Sequence, residues 1–174
     1  RRMVCYDCPE GAHWTIGVRM SEYSLRQATY DDYDFLYELH AATMQEYVEA
    51  TWGWQEAWQQ EYFARKFDPQ KRKIIQIEGQ DAGVLVVEHH EQQLYLALIE
   101  LLPEFQGRGV GSAIITDLCS QARERNQVVS LHVLKSNKPA RRLYERLGFV
   151  FAGEEEHKVK MIYKATEIPN KEDI

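Results

Sequence analysis

Six consecutive residues, Gln106-Gly107-Arg108-Gly109-Val110-Gly111, join an apolar run to a helical pattern. Successive glycines let a backbone curl until its N–H groups converge, and a helix start adds a partial positive charge. A turn of this kind holds phosphate or pyrophosphate. Two other phosphate-binding readings fail on their details. A P-loop needs Gly-Lys-Ser/Thr, whereas Gly111 is followed by Ser112 with no lysine. A dinucleotide fingerprint beginning at Gly107 needs glycine where Ser112 stands, and a carboxylate about 20 residues further on. The stretch from Gln127 to Ser130 contains none.

Two more side chains carry chemistry. Glu100 is the one charge in the run Leu94 to Leu102. A carboxylate inside a sheet is costly unless it is paired or used, and burial moves such a group towards the working range of a base. Glu100 is therefore either a base or the partner of a cation. Histidine is the side chain that changes charge near neutrality. That makes His132, on the next strand-like run, a reserve base or a histidine tolerated between apolar neighbours.

The elements that position these residues follow from periodicity. Tyr23 to Ala28 alternates as a strand. Thr29 before Asp31-Asp32 starts a helix that runs to about Tyr47, and a second helix spans Gln55 to Lys66 before Asp68-Pro69. Strands follow over Lys73–Glu78 and Gly83–His89. Leu94 to Leu102 is apolar at both parities, as in a central strand covered on both faces. A helix over Val110–Asn126, a strand over Val128–Leu134, a helix over Pro139–Leu147 stopped by Gly148, and a hairpin of Phe149–Glu154 and Val159–Lys164 complete the pattern. Neither a repeat nor a linker interrupts it.

The 174 residues carry a net charge of −6, against general nucleic-acid binding. From Gln27 to Ala64 there is no Lys or Arg, while Lys135, Lys138, Arg141, Arg142 and Arg146 face only Glu145 in their segment. One region suits a cation and another an anion, unless both are solvated faces. Cys5-x-x-Cys8 with His13 lacks a fourth ligand, so no metal is expected. Cys119 reads as a small core residue. No stretch approaches the ~20 apolar residues of a membrane span, and the first residues lack an apolar signal core. A cytoplasmic protein is expected. Residues 1–19 read as an N-terminal extension or leader, residues 20–166 as one domain and 167–174 as a tail.

At Gln106, Gly109 and Gly111, preceded by Leu-Leu-Pro-Glu-Phe, the chain resembles the Gln/Arg-x-x-Gly-x-Gly/Ala signature of the GNAT superfamily of N-acetyltransferases. A second block matches independently, from Asn137 through Ala140, Leu143 and Tyr144 to Gly148-Phe149. The resemblance covers Tyr23 to Lys164. It implies an α+β fold: a mixed, mostly antiparallel sheet of six or seven strands, splayed between the fourth and fifth, with about four helices.

It further implies acetyl-CoA as co-substrate and an amine acceptor, either a small molecule or a peptide, with direct transfer in a ternary complex. Leu101 and Leu102 would meet the pantetheine through their backbone. Gln106, Gly107 and the N–H groups of Arg108, Gly109, Val110, Gly111 and Ser112 would hold the pyrophosphate. Asn137, Ala140 and Arg141 would line the donor site, Asn137 also reading as the N-cap before Lys138-Pro139; from their charge rather than the resemblance, Lys138, Arg141 and Arg142 would meet the remaining phosphate. Tyr144 matches the family tyrosine near the donor sulfur, where a phenol can protonate a leaving thiolate. Glu100 matches a glutamate that some relatives use as base, often through water. The acceptor side maps onto the first two helices. There Glu46, Glu49, Trp52 and Trp54 suit a cationic amine, the alternative being that Trp52, Trp54 and Trp58 only pack helices. Homodimers are common in the superfamily. A catalytically silent acyl-CoA-binding module and a nucleotide-binding regulatory domain are the competing functions.

Overall fold

The structure is a computed structural model and describes residues 23–164. The expectations for residues 1–19, including Cys5, Cys8 and His13, and for residues 167–174 lie outside the described residues.

Strand β1 (Tyr23–Gln27) leads through a short 3-10 turn into helix α1 (Tyr33–Trp52), and α2 (Glu56–Lys66) follows. The entry to α1 is fixed by charge. The Thr29 backbone N–H donates to Asp32 Oδ2 at 2.7 Å, and Arg26 binds both Asp32 and Asp81. These contacts join β1, the start of α1 and the next hairpin. The Arg26 guanidinium holds the Asp32 carboxyl down at about 2. Helix α1 outlasts the expected end near Tyr47 by a full turn. It stops at Gly53, whose φ of +82° is left-handed.

Strands β2 (Lys73–Ile77), β3 (Gln80–His89) and β4 (Gln93–Leu101) form an antiparallel meander. Helix α3 (Val110–Glu124) crosses over to β5 (Val128–Leu134), which lies parallel to β4. Helix α4 (Lys138–Arg146) and the hairpin β6 (Val150–Glu154) and β7 (Lys158–Lys164) complete a seven-stranded sheet in the order β1-β2-β3-β4-β5-β7-β6. The expected mixed, mostly antiparallel sheet and four helices are present.

Two irregularities shape the middle of the sheet. Pairing of β4 with β5 joins Gln93–Leu96 to Val128–Leu131 and stops there, so the strands part beyond Leu96. The β3–β4 register slips at the same level. Val86 faces Leu98 and Val87 faces Leu96, leaving Ala97 as an extra residue in β4. Such a bulge reverses the facing of everything beyond it. Leu94 and Leu96 pack into the core beneath α3, with Ile114, Ile115 and Leu131. Leu98 packs into the opposite core, with Leu36 and Leu39 of α1 and Phe63 of α2. Glu100, two residues on, also faces α1. Gly83 makes room for this segment, because a Cβ there would lie 2.2 Å from the Glu100 carbonyl oxygen.

Candidate active site

A cavity of about 840 Å³ occupies the place where β4 and β5 part. Its floor is Leu96–Ile99 of β4 and His132–Leu134 of β5. One end is closed by Asn137, Ala140 and Tyr144 around α4, and the other by residues of α1 and α2. Ser136 locks this frame: its hydroxyl donates to the Tyr47 carbonyl at 3.2 Å and lies 3.1 Å from Thr51 Oγ1. The last turn of α1 is thereby tied to the loop before α4.

Glu100 does not reach the cavity. Its side chain is 3% exposed, and its Oε1 lies 3.0 Å from Nδ1 of His40 on α1. His40 lines the cavity. Arg72 also stands near enough to interact electrostatically with Glu100, and its guanidinium packs 5.5 Å from the ring centres of Phe63 and Phe67. The buried carboxylate is thus paired, and its neighbour is the group that meets solvent. Sequence reasoning missed His40. The available signal was its place on the stripe Leu36, Leu39, His40, Thr43, spaced i, i+3, i+4, i+7. That stripe faces the core, where an unpartnered imidazole is out of place.

Tyr144 lies at the opposite end. It is 8% exposed, packs 5.7 Å from the Phe149 ring and lines the cavity. Its hydroxyl makes no hydrogen bond among the described residues. Burial pushes the phenol up to about 12, so it keeps its proton across the neutral range. Asn137 caps α4, its Oδ1 accepting from the Ala140 N–H at 3.1 Å. Arg141 is engaged by Glu145 at 2.9 Å, one turn along the same helix.

The glycine-rich turn sits beside the end of β4. Gly107 and Gly109 have φ values of +71° and +85°. Gly109 is the N-cap of α3, and the first helical bond runs from the Ala113 N–H to the Gly109 carbonyl at 2.9 Å. The N–H groups of Val110, Gly111 and Ser112 precede that bond, and no side chain caps them. Gln106 pins the turn to the strand, its Nε2 donating to the Leu101 carbonyl at 2.7 Å. The Leu102 N–H is occupied by the Ala82 carbonyl at 2.9 Å, so it is not open to a ligand. Ladder alternation then turns the backbone groups of Ile99 and Leu101 away from β3, towards the gap.

On the acceptor side the structure departs from the sequence expectation. Of Glu46, Glu49, Trp52 and Trp54, only Trp52 lines the cavity. Glu49 accepts the Trp54 backbone N–H at 2.5 Å and so fixes the turn between α1 and α2. Trp54 donates its indole N–H to Glu56 at 2.8 Å. Glu46 is exposed to solvent. Trp58 and Tyr62 of α2 supply the aromatic wall instead, their rings stacked at 5.0 Å and 9°. His132 also lines the cavity; its Nδ1 lies 3.1 Å from the Tyr95 hydroxyl, and its Nε2 3.6 Å from Glu155. Cys119 is a buried core residue, its thiol raised to about 11 by desolvation. Among the described residues no group of three or more His, Cys, Asp or Glu could hold a metal ion. No described helix is long and apolar enough to cross a membrane.

Known proteins resemble this chain in sequence and fold. The profile of the acetyltransferase (GNAT) family matches residues 33–149. An uncharacterized N-acetyltransferase of Methanocaldococcus jannaschii is 28% identical over 137 residues, which is 73% of this chain and 60% of that protein. The streptothricin acetyltransferase of Streptomyces lavendulae is 32% identical over 91 residues, 49% of this chain and 48% of that one. The chain therefore spans about half to three-fifths of the curated relatives it matches. Among solved structures, the PaiA N-acetyltransferase of Thermoplasma acidophilum in complex with coenzyme A gives a TM-score of 0.68 at 13% identity, over 83% of this chain and 99% of that one. The Escherichia coli ribosomal-protein-S18-alanine N-acetyltransferase gives 0.57 at 18% identity, over 84% and 98%. These likenesses establish the fold. With a sheet splayed at the same level as the cavity, an uncapped glycine-rich helix start beside it and a family profile over most of the described residues, the chain belongs to the acetyltransferase (GNAT) family.

Proposed function

We propose that this chain transfers an acetyl group from acetyl-CoA to a primary amine by direct attack in a ternary complex. The observation that carries the reading is the cavity in the β4–β5 gap, lined by both Tyr144 and His40, with Glu100 buried behind His40. The uncapped N–H groups of Val110, Gly111 and Ser112 suit the donor's pyrophosphate. The backbone edge at Ile99 and the N–H of Leu101 suit an extended amide-bearing arm, which can lie along it as a strand would. Lys138 and Arg142 offer charge to the remaining phosphate, while Arg141 does so at the expense of its bond to Glu145.

The donor brings its acyl group as an activated thioester. The chain's residues handle the protons. His40 faces the acceptor end and receives the proton that the attacking nitrogen must lose, and Glu100 holds the imidazole in place and stabilises its cation. The new C–N bond forms as the C–S bond breaks. Tyr144 donates its phenolic proton to the departing sulfur, and the phenol recovers that proton from solvent. An amine with an ordinary pKa near 10.4 is mostly protonated at neutral pH. Removing water from the site and placing a base beside it increases the neutral, attacking form.

A thiol-release assay with acetyl-CoA and a panel of primary amines tests the proposal, with donor binding followed by calorimetry. Turnover on an amine, reduced in both Tyr144→Phe and Glu100→Gln, is the expected result. Donor binding without turnover on any amine would convert the reading to an acyl-CoA-binding module, and loss of both would overturn it.

A further inference from the structure

Gln59 is a polar residue of the acceptor half of the cavity whose side chain makes no bond inside the described fold. It lies on the inward side of α2, one turn before the buried Phe63, and is 5% exposed. Its backbone is helical, the N–H bonding to the Gln55 carbonyl at 2.9 Å. Its side-chain amide lies against the cavity and makes no hydrogen bond among the described residues. The residue is enclosed by α2 and its neighbours while its amide stays open to the cavity, so both its donor and its acceptor are available to a ligand there.

The neighbours narrow the ligand's chemistry. Trp58 and Tyr62 flank Gln59 on α2 with their rings stacked, both partly exposed at the mouth, and Trp52 stands on the wall supplied by α1. Flat aromatic faces hold a flat ring. No Asp or Glu is among the described residues lining the cavity, whereas His132 and Lys158 are. A polycation would find no counter-charge on these walls.

We propose that the acceptor amine is carried on a flat, uncharged ring that presents an adjacent N–H and C=O, as a lactam or cyclic imide does. Gln59 Nε2 donates to the ring carbonyl, and Gln59 Oε1 accepts from the ring N–H. The aromatic side chains stack on the ring, and the exocyclic amine points towards His40. This assignment rests on the acetyl-transfer reading and names its substrate class.

The test compares an aminomethyl pyridone, benzylamine and spermidine as acceptors, using the full chain and its Gln59→Leu variant. The pyridone amine should exceed benzylamine in kcat/KM by about tenfold or more, as loss of one buried polar pairing implies. Gln59→Leu should bring that ratio close to one. Equal rates for the two rings, an unchanged ratio in the variant, or a preference for spermidine would each overturn the assignment. Gln59→Met serves the same purpose if the leucine variant misfolds. Calorimetry with the amine-free pyridone, in the absence of donor, separates this inference from the one beneath it. If that ring binds the native chain and not the variant while no amine is acetylated, the ring site stands and acetyl transfer fails. If it binds neither or both alike, the ring site fails whatever the turnover.

Discussion

His40 Nδ1 and Glu100 Oε1 lie 3.0 Å apart, although 60 residues of sequence separate them. Helix α1 supplies the imidazole and β4 the carboxylate, and the bulge at Ala97 is what turns Glu100 towards α1. The carboxylate is enclosed while the imidazole borders the cavity. In the proposed mechanism this geometry divides a base's work between His40, which would meet the acceptor, and Glu100, which would orient it.

Replacing either member should therefore expose the division. His40→Gln should lower kcat about 10²-fold. Glu100→Gln should lower kcat by less, because the imidazole still borders the cavity but is no longer held by its carboxylate. The double variant should be little worse than His40→Gln alone, since the two act as one unit. Additive losses, or a native kcat in Glu100→Gln, would show that Glu100 supports the fold and nothing more.

Gly83→Ala tests the close packing of β3 on β4. A Cβ there would meet the Glu100 carbonyl oxygen and the Leu101 side chain at 2.2 and 2.8 Å. The backbone contact cannot relax by a rotamer change, so β4 must move. We expect about 1–3 kcal/mol of destabilisation in urea unfolding, together with a kcat loss larger than the change in KM for acetyl-CoA. A variant with native stability and rate would mean that β4 shifts freely at this point.

The fold was legible where periodicity and punctuation agree. The run Leu94 to Leu102 reads as a central strand, and it is one; Gly107, Gly109 and Asn137-Lys138-Pro139 mark the helix starts at which α3 and α4 begin. Orientation inside β4 was not legible. Leu, Ile and Ala residues at both parities fit either facing, so nothing in the composition marks Ala97 as the bulged residue or tells which face Glu100 takes. Three of the four expected acceptor residues, Glu46, Glu49 and Trp54, stand outside the cavity for a related reason. Glu46, Glu49 and Trp54 sit at the right place in sequence, but α1 runs one turn further than its pattern suggests, and the turn after it absorbs Glu49 and Trp54. His40 beside Leu39 and Gln59 before Phe63, polar residues on apolar stripes, are the ones that stand at the cavity.

The donor turn predicts a charge effect. Gly109 has nothing within 4 Å of a would-be Cβ, so its requirement is conformational, set by φ +85°. Gly109→Ala should cost about 1–2 kcal/mol in strain and weaken coenzyme A binding modestly in calorimetry. Gly109→Glu adds a carboxylate where three N–H groups await an anion, and should abolish binding at concentrations that saturate the alanine variant. Equal affinity in the two variants would mean that the pyrophosphate lies elsewhere.

Asp32 ties acid stability to the start of α1. Its carboxyl is held from the ordinary 3.8 down to about 2, first by the Arg26 guanidinium and also by the Thr29 N–H. A lowered folded-state value means that the unfolded chain binds the proton first, so the contribution is complete above the ordinary value and is lost as pH falls towards about 2. Asp32→Asn should lower Tm by a few degrees at neutral pH, as loss of a helix cap of about 1 kcal/mol does. The difference between native and variant melts should shrink as the pH falls through that window. A difference independent of pH would assign the effect to packing.

Tyr144→Phe separates the phenol's two consequences. As the proton donor to sulfur, its loss should reduce kcat about 10²-fold or more while leaving KM for acetyl-CoA nearly unchanged, because the ring remains in place against Phe149. As a buried phenol, it is raised from 10.0 to about 12 by desolvation. The folded chain keeps a proton that the unfolded chain releases, so stability is unaffected below the ordinary value and declines as pH rises through that interval. The phenylalanine variant lacks that group and should lose less stability between neutral and alkaline urea titrations than the native chain. Tyr37, raised to about 12 by burial and its bond to Glu56, contributes the same slope to both and cancels in the comparison. A variant whose rate collapses while its alkaline slope matches the native one would place the hydroxyl in water rather than in the wall of the cavity. A variant with the native rate would remove Tyr144 from the proton path, leaving solvent to protonate the thiolate.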